Sequence, residues 1–315
     1  TSGVQPTSIL GFPFPTIDEK DPSAGSQIIW NYLYRTWYFG NLQAESQINL
    51  ISHKALERRL DVTASFMYYD GVPQEELPAN SGNFLVKFLT VVRSPADVNG
   101  TAALTWRYRD PSKRDSSWAF VPALRRVRAV SPANRSDGFL GSDLAQDDGS
   151  FFEGKPEDFT WKLTGETDQL RIVDPINLEG KSRNDWYAKG GWNAMWDDIP
   201  FIGYMDPEWK GAAWAPHTAA LATRRFWVVE GVPKDRYYLF GKLQLYIDKT
   251  AFQGAWNRKF DWKGEILTTY QVLAYNPQEI KRPDGKLDFV QGSNMAYQTA
   301  EAVRNDRATV AGVKS

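Results

Sequence analysis

From Thr101 to Arg109 the chain alternates without a break. Ala102, Leu104, Trp106 and Tyr108 fall on one side, and Thr101, Thr105, Arg107 and Arg109 on the other. A period of two marks a strand with one face against apolar surroundings. The same criterion predicts strands over 43–51, 57–69, 83–92, 117–130, 159–163, 170–173, 225–230, 237–248, 255–262 and 266–275. Within them Trp118, Phe120 and Leu124 are in phase, as are Leu239, Leu243, Leu245 and Ile247. Short polar loops at 110–115, 231–235, 249–253 and 263–265 join neighbours in the manner of an antiparallel meander.

Helical periodicity is confined to two places. Ala24, Ile28, Ile29, Tyr32, Leu33 and Thr36 recur at three- and four-residue spacing behind Asp21-Pro22, which predicts an amphipathic helix over 22–37 with Asp21 as its N-cap. A short second helix is predicted over Met295–Val303. Residues 1–21, rich in Pro, Gly and Ser, read as an extended arm whose aromatics dock on the body. Residues 180–222 carry Trp186, Trp192, Trp196, Trp209 and Trp214 among Gly, Pro and Asp, the pattern of a long irregular cover.

These elements predict a mainly β (α+β) chain: a large curved antiparallel sheet, or half-open β-barrel, of about ten strands with one amphipathic helix across it. The expected divisions are an arm (1–21), one sheet domain (22–275) with the Trp-rich insertion 180–222, and a C-terminal extension (276–315).

Composition narrows the functional classes. The 315 residues can bury a large core, and 37 basic against 38 acidic side chains leave a net charge of -1. No overall field therefore favours nucleic acid or an anionic membrane. No window approaches the roughly 20 apolar residues of a membrane-spanning helix. Without cysteine there are no disulfides, thiol nucleophiles, thiolate metal sites or lipid-modified cysteine. The polar start at Thr1 fits a trimmed N-terminus from which a signal peptide has been removed. The 13 tryptophans could stack on sugars, line a lipid cavity or fill a β-core.

Candidate chemistry is sparse. His53 and His217 read as structural or exposed, and no Gly-x-Ser-x-Gly elbow supplies a serine nucleophile. Asp137, Asp143, Asp147, Asp148, Glu153, Glu157 and Asp158 lack the spacing of a calcium loop, so a solvated loop is expected. Paired carboxylates there could alternatively serve glycoside hydrolysis. Of Arg125, Arg126 and Arg128, the last two share a strand face and could grip an anionic head group or pair with the acidic loop. The aromatic strands either fill the core or line a cavity. The cavity set is Trp106, Tyr108, Trp118, Phe120, Leu124, Trp161, Leu243 and Leu245, with Arg126 and Arg128 at the rim. Ile28, Ile29, Tyr32 and Leu33 of the helix, with Trp192 and Trp196, would form lids. No catalytic residue, metal or cofactor is expected.

The run Trp118-x-Phe-x-Pro-x-Leu-Arg-Arg-Val-Arg, Ser136-Asp-Gly-Phe, Gly141-Ser-Asp, Asp147-Asp148 and Phe159-x-Trp-Lys-Leu resembles a proteobacterial family of unknown function, numbered 1329. Gly11-Phe-Pro-Phe, Arg225-Phe-Trp-Val-Val-Glu and Tyr246-Ile-Asp-Lys-Thr fit as well, so the resemblance spans nearly the whole chain. It implies a periplasmic protein similar to the lipoprotein carriers LolA and LolB, half-open barrels with helical lids over a hydrophobic cavity. It also implies an exporter of the resistance-nodulation-division type and an outer-membrane β-barrel protein as partners. The leading expectation is thus a non-enzymatic carrier of a lipid or other hydrophobic molecule. A carbohydrate-binding or carbohydrate-active protein, using Trp platforms and the Asp137–Asp148 cluster, is the alternative, and an exporter-docking adaptor a third.

Overall fold

The computed structural model describes residues 11–37, 41–72, 77–149, 151–173, 184–186, 192–194, 202–216, 220–274, 278–281, 287–290 and 295–313. Helix α1 (Ala24–Trp37) is followed by β1 (Leu42–Ser52), β2 (Leu56–Tyr68), β3 (Phe84–Ser94), β4 (Ala102–Tyr108), β5 (Ser116–Val121), β6 (Arg126–Val130) and β7 (Phe159–Val173). Two short hairpins, β8 (Asn184–Trp186) with β9 (Trp192–Ala194) and β14 (Gln278–Lys281) with β15 (Leu287–Val290), stand apart from the main sheet. The remaining strands are β10 (Ala220–Pro233), β11 (Lys242–Asp248), β12 (Gly254–Phe260), β13 (Ile266–Ala274), β16 (Met295–Ala302) and β17 (Arg307–Val313).

Thirteen strands make one antiparallel sheet. From β6 at the edge it runs through β5, β4, β3, β2, β1, β17 and β16 to β13. There β12, β11, β10 and β7 follow by antiparallel pairing, and one parallel bridge between Val173 and Ala274 joins β7 back to β13. That end is therefore curled into a partial barrel while the β1–β6 end stays an open wing.

The bend has a packing cause. One hydrophobic cluster gathers Ile28, Ile29, Leu33 and Trp37 of α1 with Val62 of β2, Val86 of β3, Val229 of β10, Leu245 of β11 and Val272 of β13. A flat thirteen-strand sheet would be roughly 55–60 Å wide at about 4.8 Å per strand, whereas a 14-residue helix is about 21 Å long. Only a bent sheet brings β2 and β3 to the same helix as β10, β11 and β13. Phe151 and Phe152, from the long connection between β6 and β7, fill the rest of the hollow against Tyr32, Tyr270 and Trp161.

Local sequence sets how α1 docks. The Asp21 carboxylate accepts hydrogen bonds from the Ser23 amide (2.8 Å) and the Gln27 side chain (3.2 Å), as an N-cap should. Asn31 exchanges two hydrogen bonds with the Phe14 backbone and ties down the arm, while Phe12 lies on Phe252. Gly25 lets the helix lie on the backbone of β7: a Cβ there would come within 2.8 Å of the Leu163 nitrogen and the Lys162 carbonyl carbon.

Four expectations are corrected. The predicted strand 117–130 is two strands, because Pro122 opens a 3-10 turn and Arg125 adopts the left-handed conformation (φ 47°). The predicted strands 159–163 and 170–173 are one, bulged where Gly165 lies opposite Val228, so the Gly-Glu-Thr-Asp run is ladder rather than turn. In the predicted strand 237–248, Leu239 lies before β11 and is exposed. The predicted helix Met295–Val303 is β16, hydrogen-bonded between β13 and β17 near the middle of the sheet. Pairing on both sides there outweighs the helical preference of its alanines and glutamate.

Gly25→Ala tests the close approach. Helix propensity alone favours alanine by about 1 kcal/mol. Against the β7 backbone we expect net destabilisation, on the order of 1–3 kcal/mol of overpacking, read as a lower denaturant midpoint. A midpoint that rises would show that α1 does not seat on β7 in this way.

Candidate ligand site on the open wing

Strand alternation gives the open wing two unlike faces. Cross-strand register places Leu89 beside Leu104, Leu104 beside Trp118, Ala102 beside Phe120 and Phe120 beside Val127. With Trp106 these side chains line a trough of about 370 Å³ whose described lining is wholly apolar. Trp106 and Trp118 meet edge to face with centroids 4.8 Å apart. Leu89 and Val127 are exposed, so the trough opens to solvent. At its end Lys87, the neighbour of Trp106 across the ladder, holds its ammonium 3.9 Å from the Phe84 ring centroid and 5.3 Å from that of Trp106. Among the described residues Lys87 has no hydrogen-bond or ion-pair partner, and its ammonium lies over aromatic rings.

The other face of the same strands carries Phe88, Thr105, Arg107 and Ser117, and it meets the connection between β6 and β7. Arg107, 1% exposed, holds Asp115 through Nε and NH2 (3.0 and 2.9 Å) and donates to the Gly154 and Glu153 carbonyls (3.1 and 2.8 Å). Arg135 pairs with Asp147, donates to Thr105 Oγ1 (3.2 Å) and lies over Phe88. The Tyr238 hydroxyl donates to Asp147 (3.0 Å), and Lys259 pairs with Asp148. Asp143 is held by Arg307 and Thr309. Burial works to raise the Asp115 carboxyl, but the Arg107 charge holds it below its ordinary value. Glu153 has no hydrogen-bond partner for either carboxylate oxygen, and burial pushes it up to about 7 despite the Arg107 and Arg135 charges nearby.

The acidic loop expected to be solvated is therefore a buried clasp at Asp147, Asp148 and Glu153; Asp137 and Asp158 are exposed and Glu157 is half-buried. Its cationic partners are Arg135, Lys259 and Arg307 rather than Arg125, Arg126 and Arg128, and Arg107, paired with Asp115, meets it through backbone carbonyls. The described residues hold no group of three His, Asp or Glu side chains arranged for a metal. The carbohydrate alternative needed tryptophan platforms and working carboxylates together. Here the trough tryptophans and the acids lie on opposite faces of one sheet.

The expected cavity residues are likewise divided. Trp106, Trp118 and Phe120 line the trough. Tyr108 stands beyond it against Phe84, its hydroxyl 3.0 Å from Ser116 Oγ. Leu124 lies in the exposed turn before β6. Arg126 and Arg128 stand opposite Val121 and Ala119, on the face away from Val127 and the trough. Trp161, Leu243 and Leu245 are core residues packed with Ile28, Ile29, Tyr32 and Leu33, so α1 plugs the hollow and stands across the sheet from the trough. Trp196 and His217 lie outside the described residues, and of Trp192 only its place in β9 is described. His53 is exposed in the β1–β2 turn, 3.5 Å from Asp306. Leu89, Ala102, Leu104, Val127 and Lys87 lie outside the expected cavity set; Ala102 and Leu104 share the alternation that marked Trp106, and Leu89 and Lys87 obey it on the neighbouring strand.

A family model described as protein of unknown function (DUF1329) matches residues 2–311. No curated protein matches the chain. Among solved structures, a domain named for outer membrane lipoprotein sorting, from Vibrio parahaemolyticus, aligns at TM-score 0.57 and 16% identity over 94% of this chain and 92% of its own. A DUF1329 family protein from Desulfovibrio piger aligns at 0.56 and 16% over 93% and 90%. A LolA superfamily protein from Nitrosomonas europaea follows at 0.49 and 13% over 92% and 91%. At these identities the likeness establishes the fold.

Glu153 makes the clasp sensitive to pH. Between its ordinary value of 4.5 and about 7, the native carboxyl keeps a proton that the unfolded chain has released. Its contribution to stability is full below the lower value and is lost as pH rises through the upper one, on the order of 3 kcal/mol in all. Denaturant midpoints measured from pH 4 to pH 8 should fall across this window in the native protein and stay flatter in Glu153→Gln. Parallel profiles would place the Glu153 carboxyl in water.

Proposed function

We propose that this chain, which belongs to the DUF1329 family, is a non-enzymatic binding protein for a hydrophobic molecule, taken up in the trough formed by β3–β6. The observation that carries this reading is the trough itself, open to solvent and lined by Leu89, Leu104, Trp106, Trp118, Phe120 and Val127. Its volume of about 370 Å³ lies toward the lower end of the range for small-molecule sites, roughly 300–1,000 Å³. Covering ten methylenes of an acyl chain supplies on the order of 8 kcal/mol before the costs of binding. Lys87 at the end of the trough gives an anionic head group its counter-charge. Chain in the trough and head at Lys87 favour an amphiphile with a carboxylate or phosphate, such as a fatty acid or lysophospholipid.

The family resemblance adds a setting to this reading. It is the periplasm, with the carrier working beside an exporter of the resistance-nodulation-division type and an outer-membrane β-barrel protein. A carrier in that position must release its load as readily as it takes it up. An open trough suits that better than a sealed cavity.

Titration with palmitate or lysophosphatidylglycerol should quench or shift the fluorescence of Trp106 and Trp118, with saturation in the micromolar range. Leu104→Glu puts a carboxylate on the trough floor and should weaken that binding at least tenfold with an unchanged circular dichroism spectrum. No saturable change in the native protein, or equal affinity in the variant, would rule the trough out as the site.

A further inference from the structure

The run of three arginines is left unassigned by the trough. Strand β6 closes the sheet at its open end: its inner side pairs with β5, and no described strand or loop pairs with its outer side. Arg125, Arg126, Val127, Arg128 and Ala129 are all exposed. Among the described residues none of the three guanidinium groups has a hydrogen bond or an ion pair. Arg58, Arg107, Arg109, Arg135, Arg224, Arg225 and Arg307 have acidic partners. Among the described residues Arg93, Arg236 and Arg258 do not, but they stand singly and lie on Thr63 or on aromatic rings, whereas these three share one four-residue segment.

A bare edge is a template for strand addition, and charged residues on it often serve to keep copies apart. That role accounts for the charge but not for the composition of the other face. Val127, 64% exposed, stands beside Phe120 and continues the trough surface out to the free edge. β6 thus presents an apolar residue on one face, between two arginines that project from the other. Antiparallel pairing of two β6 strands would bring four arginines, Arg126 and Arg128 of each copy, together on one face of the seam, so a second copy of this chain is disfavoured. The complement is an added strand with acidic side chains on the Arg126–Arg128 face and apolar side chains on the trough face, alternating with period two.

We infer that β6 is a docking edge for an extended segment of a partner protein in which acidic and apolar residues alternate. Main-chain hydrogen bonds to β6 would hold the segment. Carboxylates paired with Arg126 and Arg128 would fix its register. Its apolar side chains would widen the trough wall beside Val127.

The test uses a fluorescein-labelled seven-residue peptide alternating valine and glutamate, and a second of the same composition with the residues in two blocks. The alternating peptide should bind at least tenfold tighter, and backbone amides of 126–130 should exchange more slowly in its presence. Arg126→Glu/Arg128→Glu should lose that binding at least tenfold and prefer a valine–lysine peptide, with its melting temperature unchanged. Arg126→Gln/Arg128→Gln serves as a second variant if the reversal perturbs the fold. Equal binding of both peptides, no binding, or binding without amide protection would overturn the inference. So would association with phosphatidylglycerol vesicles, lost in the same variant, in place of peptide binding.

Discussion

A β-strand cannot put two successive side chains on the same face, and the open wing of this sheet is built on that constraint. Leu104 and Trp106 point one way, and Thr105 and Arg107 the other. The second set meets the β6–β7 connection and is satisfied by Arg135 and backbone carbonyls of that connection and by Asp115 of the β4–β5 loop. Because that face is closed, the apolar set has nothing left to pack on within the described chain and forms the trough. The closed face and the open one are two consequences of a single register.

Each face carries a different kind of energy. The curled end and α1 bury large aliphatic and aromatic side chains, the ordinary source of stability in a domain of this size. The clasp buries Arg107, Arg135, Lys259, Asp147, Asp148 and Glu153. Burying paired charges costs about as much as it returns, so the clasp adds little net stability relative to an apolar layer of equal volume. Its effect is to fix one position for the β6–β7 connection, since a shifted connection would leave charges buried without partners. Phe151 and Phe152 ride on that connection and reach the hollow as a result.

A sheet whose hollow is filled by its own helix and loop is a rigid platform rather than a chamber with a lid. The trough proposed as the binding surface lies correspondingly on the outside of the wing, bordered by Lys87 at one end and by the edge strand β6 at the other. An apolar floor with the Lys87 ammonium at its margin suits molecules that are oily along their length and anionic at an end. A transient partner strand at β6 would sit within reach of such a molecule, which joins uptake and hand-over on one surface.

The sequence by itself determined the class of fold, the single N-terminal helix with its Asp21 cap, and the grouping of Trp106, Trp118 and Phe120 on one face. All of these follow from periodicities of 3.6 and 2 and from capping chemistry, which are local. Family membership was also legible, in the motifs around Trp118 and Phe159. Only the tertiary structure decided which face is filled, because alternation says that two faces differ and not what each will meet. It also decided that Asp147, Asp148 and Glu153 are buried: Asp147 meets Arg135 from earlier in the same connection, Asp148 meets Lys259 from the distant β12, and Glu153 is enclosed near Arg107 of β4 without a hydrogen bond to its carboxylate. The placing of residues 295–302 as a strand near the middle of the sheet was settled in the same way, by pairing on both sides that outweighs local helical preference.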